Sequence, residues 1–163
     1  MNIAIAQINP TIGAFQHNSR KIIAQAEKAR ALGCDLVIFS ELVIPGYPPR
    51  DLLDKPEFIQ ACQACLDRLV QGIKGIGVIV GTVAENPAPG GKPLFNTAVL
   101  FENGRILQRA YKQLLPTYDV FDERRHFEPG PPSEPIAYKG RRLGLTICED
   151  LWNDKDIFSK QIY

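Results

Sequence analysis

The sequence predicts a layered α/β domain, and three observations carry the prediction. Short, almost wholly apolar runs at 2–8, 35–40 and 76–85 read as buried strands. Stretches with helical spacing separate the first run from the second and the second from the third. Two hairpin signals follow, Asn103-Gly104 and Lys139-Gly140. Strands alternating with helices are the pattern of α/β layers. A length of 163 residues fits one domain of roughly 100–200 residues. It also suffices to bury a core without disulfide or metal staples.

Each element has its own signal. From Asn2 to Ile8, Ile3 and Ile5 fall on one face and Ala4, Ala6 and Ile8 on the other, so this strand is expected to be covered on both sides. Asn9, Pro10 and Gly13 break it. A helix is expected from about Gln16 to Leu32, with Ile22, Ile23, Ala26 and Ala29 as its apolar stripe and Gly33 as its left-handed cap. Asp35 to Ser40 is the second strand. The segment 41–54 is too rich in proline for regular structure. Pro56 then suits the first turn of a helix whose stripe is Phe58, Cys62, Cys65, Leu66, Leu69 and Ile73.

Ile76 to Glu85 reads as a strand and Pro87 to Pro93 as a loop. Leu94–Glu102 and Arg105–Tyr111 flank the Asn103-Gly104 turn. Gln113 to Pro132 is long and irregular, and such loops inside domains are often functional. Ala137–Tyr138 and Arg142–Ile147 form a candidate second hairpin. Asp154 to Tyr163 resembles the start of a helix with no stop signal, which suggests a chain incomplete at its C-terminus.

Composition excludes several classes. The 19 basic and 18 acidic side chains nearly cancel, which leaves no broad basic face for nucleic acid. No apolar run approaches the ~20 residues that span a bilayer, and no signal peptide opens the chain. The four cysteines, Cys34, Cys62, Cys65 and Cys148, are irregularly spaced. They fit free thiols in a reducing cytoplasm. Cys62 and Cys65 fall on a helical stripe and lack a second ligand pair, so core packing is expected rather than zinc. No Gly-rich phosphate loop is present, so no nucleotide, metal or other cofactor is expected in this chain.

Ligands of α/β sheets gather beyond the carboxyl ends of strands. Glu41, Lys112 and Cys148 each follow an apolar strand-like run. A thiolate can attack an amide carbon if a base takes its proton. A carboxylate in a partly dry pocket can be that base. An ammonium and a backbone N–H can hold the resulting oxyanion. Backbone N–H groups after Cys148 are expected to favour the thiolate. His126 is the rival base, as in Cys–His enzymes, whereas His17 is expected to be exposed. Taken alone, each of these residues is also compatible with a purely structural place.

Longer stretches narrow the choice. Ser40-Glu41-Leu42, Tyr111-Lys112 through Leu115-Pro116, and Ile147-Cys148-Glu149-Asp150 resemble, in order and separation, the three catalytic blocks of the nitrilase (carbon–nitrogen hydrolase) superfamily. GYPPRDLL at 46–53, the stretch from Lys112 to Glu123, and Cys148-Glu149-Asp150-Leu151-Trp152 resemble more narrowly the glutaminase domains of glutamine-dependent NAD synthetases.

That resemblance implies a nitrilase-like α-β-β-α sandwich. It implies Glu41 as general base, Lys112 as oxyanion stabiliser, Cys148 as nucleophile and Glu123 as a supporting glutamate. The Glu149 backbone N–H would share the oxyanion. Tyr47, Tyr118 and Phe121 would line a glutamine pocket. The implied reaction is hydrolysis of the side-chain amide of L-glutamine. The released ammonia would pass to a synthetase domain that uses ATP and Mg to convert deamido-NAD to NAD, in an oligomer of like chains.

Residues 1–163 would then be the N-terminal part of the glutaminase domain, incomplete at the C-terminus, with the synthetase domain absent. Two alternatives stay open: a stand-alone nitrilase-type amidase on another small amide, and a catalytically inactive truncated product.

Overall fold

A computed structural model describes residues 1–152. Five strands form one sheet in the order β1 (Ile3–Ala6), β2 (Leu36–Phe39), β3 (Gly77–Glu85), β4 (Leu94–Glu102) and β5 (Arg105–Tyr111). The pairs β1/β2 and β2/β3 are parallel, and β3/β4 and β4/β5 antiparallel. Two reversals in succession restore direction, so β5 runs with β2 and β3. The chain therefore leaves β2 and β5 at the same end of the sheet.

Helix α1 (Phe15–Ala31) buries Ile22, Ala26 and Ala29, an i, i+4, i+7 stripe. It ends as its sequence requires. Gly33 has φ +73°, its N–H donates to Arg30 O, and the Cys34 N–H donates to Ala29 O. Lys28 and Arg30 lie in the last turn, where cations favour the helix dipole. Helix α2 (Pro56–Gly72) begins on Pro56, whose missing N–H costs nothing there. Both helices pack on one face of the sheet, where Ile22, Ala26, Leu66 and Leu69 meet Val37, Val78, Val80, Val99 and Phe101. Cys62 and Cys65 are buried on α2, and the Cys65 sulfur lies 2.9 Å from Ser19 Oγ.

The opposite face carries a second, two-stranded sheet, β6 (Ile136–Tyr138) and β7 (Arg141–Leu143). Ile136, Tyr138, Leu143, Leu145 and Ile147 cover Leu36, Ile79, Ala98 and Leu100 there. Helix layer, sheet and second sheet thus give three successive layers of the expected α-β-β-α sandwich. The helix expected over 154–163 lies outside the described residues.

Two expectations need correction. The strand anticipated to run through Ile147 stops at Leu143, which pairs with Ile136. Upstream of Ile136 stands Pro135, which has no N–H to extend the ladder. Cys148 therefore opens a 3-10 turn, Cys148–Trp152, instead of ending a strand. Secondly, β1 is covered on one face only among the described residues. Ala6 is buried against the helices, whereas Ile5, on the other face, is 81% exposed because the β6–β7 hairpin sits over β2, β3 and β4.

Candidate active site

The turn after β2 carries Glu41, and it is pressed onto the sheet. A Cβ on Gly81 in β3 would stand 2.2 Å from the Leu42 nitrogen and 2.8 Å from the Glu41 carbonyl carbon. Only glycine lets the chain cross there. The turn is pinned further by Ile44 N–H to Gly81 O, 3.1 Å, and Gly13 N–H to Pro45 O, 2.8 Å. Buried Asn18 donates to Thr11 O and Ile44 O. Leu42 is held at φ +46°, a conformation that costs a non-glycine residue about 1–3 kcal/mol and persists only where its surroundings enforce it.

Lys112 follows β5, in register with Asn96 on β4. Its N–H donates to Asn96 O (2.9 Å), and its carbonyl accepts from Gly130 N–H (2.8 Å). The side chain is fully buried. Its ammonium donates to Glu41 Oε1 at 2.7 Å and lies 2.9 and 2.8 Å from the two oxygens of Glu123. Burial pulls the lysine pKa down, but Glu41 and Glu123 outweigh it and hold the group above its ordinary value. It is an ammonium wedged between two carboxylates.

Glu123, itself buried, is held above the usual carboxylate range, first by desolvation and then against the pull of Lys112. Tyr47 OH donates to its Oε1 at 3.2 Å. Burial and the Glu123 and Glu41 charges keep the Tyr47 phenol firmly protonated.

Cys148 meets this group from the far end of the chain. Its thiol lies close enough to Glu41 to feel that carboxylate's charge. The residue is exposed and held at φ +46°. Partial desolvation, then the Glu41 charge, raise its pKa, with Lys112 pulling the other way. The expected bias toward thiolate is therefore reversed. A five-residue 3-10 turn supplies little dipole, and the adjacent carboxylate outweighs it.

Glu41, Lys112 and Glu123 thus share one contact network, and Cys148, more than 100 positions from Glu41 in sequence, stands within reach of the charges of all three. Tyr47 joins that network and lines an adjoining groove of about 350 Å³ with Phe121, Glu123 and His126. Tyr118 is half exposed and lies outside that lining. Its hydroxyl is 3.0 Å from each oxygen of the buried Glu149 carboxylate, and its ring meets Phe121 edge-on at 5.7 Å. The structure thus adds a side-chain contact to a residue singled out only for its backbone.

His126 is elsewhere. Its Nδ1 lies 3.2 Å from Asp54 and its Nε2 3.6 Å from Asp51. Among the described residues no cluster of His, Cys, Asp and Glu could hold a metal ion.

Sequence reasoning missed Asn96. Its Nδ2 donates to Glu41 Oε1 at 2.6 Å, the same oxygen that takes Lys112. Its own Oδ1 is buried without a partner among the described residues, an expense of about 1–3 kcal/mol. The signal was a lone amide within the apolar run Leu94–Glu102, in register with Lys112.

A cysteine beside a carboxylate, with a buried ammonium bonded to that carboxylate, on a layered α/β frame, defines a class of carbon–nitrogen hydrolases. The carbon–nitrogen hydrolase family model matches residues 2–159, and the chain belongs to that family. It is 46% identical over 165 residues to a glutamine-dependent NAD(+) synthetase of Synechocystis, covering 99% of this chain and 30% of that protein.

Among solved structures, the glutamine-dependent NAD+ synthetase of Acinetobacter baumannii in complex with ADP superposes with a TM-score of 0.87. It is 34% identical over 96% of this chain and 29% of its own. A variant of an amidase from Nesterenkonia, bearing acrylamide added to its active-site cysteine, superposes at 0.78. Its identity is 26% over 93% of this chain and 58% of its own. The chain therefore spans about 30% of the length of the curated relatives it matches. Among the described residues no helix is long and apolar enough to cross a membrane.

Proposed function

We propose that this chain hydrolyses the side-chain amide of glutamine and that the ammonia serves an NAD synthetase activity. The carrying observation is the convergence of the three residues: the Lys112 ammonium is 2.7 Å from Glu41, and the Cys148 thiol lies within the field of both. The relatives' names point to glutamine as the amide.

In this reading Glu41 accepts the Cys148 thiol proton as the sulfur attacks the carboxamide carbon. Cys148 rests as a thiol, so the proton moves in step with attack, and the adjacent carboxylate is its acceptor. Lys112 is held charged at the site, ready to stabilise the oxyanion, and the Glu149 backbone N–H shares that charge. Glu41 returns the proton to the departing nitrogen, which leaves as ammonia, and a γ-glutamyl thioester remains on Cys148. Glu41 then deprotonates a water that attacks the thioester. Glutamate leaves and the thiol is restored.

Glu123 keeps Lys112 in place and balances its charge while Glu41 cycles. Tyr47, Tyr118 and Phe121 are assigned to the substrate-facing wall. The ammonia is consumed by a synthetase domain that activates deamido-NAD with ATP and Mg. The assembly is a homo-oligomer working in the cytoplasm.

The test is ammonia release from glutamine by the purified chain, beside asparagine, acetamide and propionamide, together with mass analysis of Cys148 after exposure to acrylamide. Preference for glutamine with labelling at Cys148 supports the reading. Turnover of simple amides in preference to glutamine makes it a different amidase. Folded protein that neither turns over amides nor labels at Cys148 refutes it.

A further inference from the structure

The contacts among Glu41, Lys112 and Glu123 do not fix where the nucleophile sits. Cys148 stands on a different segment, joined to the lysine side of the site through few contacts among the described residues. Asp150 makes two of them and a third within its own turn. Its Oδ1 accepts the N–H groups of Gln113 and Leu114, at 3.0 and 2.9 Å. These residues directly follow Lys112. Its Oδ2 accepts the Ile147 N–H at 3.1 Å, directly before Cys148. The Asp150 N–H closes the same turn on Ile147 O, also 3.1 Å. One carboxylate thereby ties the backbone beside the ammonium to the backbone beside the sulfur.

A carboxylate that accepts several backbone N–H groups makes charge-assisted bonds, stronger than neutral ones. The segment needs such a tie. Cys148 is held at φ +46°, which a cysteine does not keep unaided. The preceding residues 144–147 have no sheet pairing to hold them.

We propose that Asp150 is a positioning residue that locks the Cys148 turn to the Lys112 loop, so that sulfur and ammonium stand in register for amide attack. The proposal rests on the roles given to Cys148 and Lys112 under the proposed function. Asp150 itself touches neither the sulfur nor the ammonium. It sets the distance between them through the backbone on either side.

Attack on an amide needs sulfur and oxyanion donors aligned together, whereas alkylation by iodoacetamide needs the sulfur alone. Misplacement of about 1 Å costs on the order of 100-fold in a reaction that depends on alignment. In Asp150→Ala, glutamine turnover is expected to fall by about that factor, on kcat with KM little changed. Alkylation of Cys148 by iodoacetamide should stay within about threefold of the unaltered chain, because it follows thiolate fraction and access. Asp150→Asn keeps the volume but exchanges one acceptor for a donor facing Ile147 N–H, and should show an intermediate loss. Hydrogen exchange at the Gln113 and Leu114 amides should quicken in Asp150→Ala.

Unchanged turnover, or turnover and alkylation falling in proportion in both variants, overturns the proposal. Loss on KM alone does so too. If the unaltered chain turns over no glutamine, the functional reading fails, and the exchange rates alone decide the tie: faster exchange upholds it and unchanged exchange ends it.

Discussion

Replacing Lys112 by methionine isolates the energetics of the site. The methionine keeps the length of the buried stem and removes the charge. Glu41 and Glu123 then face each other with nothing between them. In the native site both approach one nitrogen within 3 Å. Their oxygens are therefore no more than about 6 Å apart, and at an effective dielectric of about 20 two such charges repel by about 3 kcal/mol. Stranding buried partners of an ion pair costs about 3–5 kcal/mol in practice.

The pH dependence gives the sign. The raised pKa of Lys112 means that its stabilisation is complete below the ordinary lysine value and lost as pH rises through the folded one. In Lys112→Met, Glu123, already held above the usual carboxylate range, loses the cation that pulled it down. The penalty is full above the raised Glu123 value and relieved as pH falls through it. Urea unfolding of both proteins across the range from about pH 5 to 9 should show a loss of about 3–5 kcal/mol near pH 8, shrinking toward the acid end. A loss below about 1 kcal/mol near pH 8, or one that grows on acidification, would refute the reasoning.

Other substitutions probe single contacts. Asn96→Ala removes one of the two donors that hold Glu41 Oε1; kcat for glutamine should fall, and an unchanged kcat would deny Asn96 a part in aiming that carboxylate. His126→Ala should leave ammonia release intact while Lys112→Ala lowers it about 100–1,000-fold; the reverse order would make His126 the base. Gly81→Ala forces a methyl against the Leu42 backbone and should cost at least about 1–3 kcal/mol in thermal unfolding; a native melting temperature would show that the Glu41 turn moves freely.

Much of this fold was legible because its signals are local. Pro56 starts α2, Gly33 closes α1, and Asn103-Gly104 turns β4 into β5. Each of these residues acts through its own backbone, which a sequence displays directly. The residues that converge on the site were legible through motif resemblance, since nothing in strand periodicity says that Glu41 and Lys112 leave the sheet at the same end. That follows from strand order, which depends on long-range pairing. The misreadings have the same origin. Leu143 to Ile147 has the composition of a strand, but pairing needs a donor-bearing neighbour, and Pro135 is not one. Ile5 looks like a doubly covered residue, yet what covers it is decided elsewhere in the chain. Asn96 escaped notice because its importance lies in an oxygen of Glu41, 55 positions away.

The thiol of Cys148, whose pKa is raised by partial desolvation and by the Glu41 charge, bears on durability as well as turnover. Peroxide and adventitious alkylators consume sulfur in its anionic form. A resting cysteine that keeps its hydrogen reacts with both more slowly than a thiolate would, even though solvent reaches it. Long survival in air and a slow response to hydrogen peroxide at neutral pH, with ageing that accelerates in alkali, are the behaviour such a residue should show.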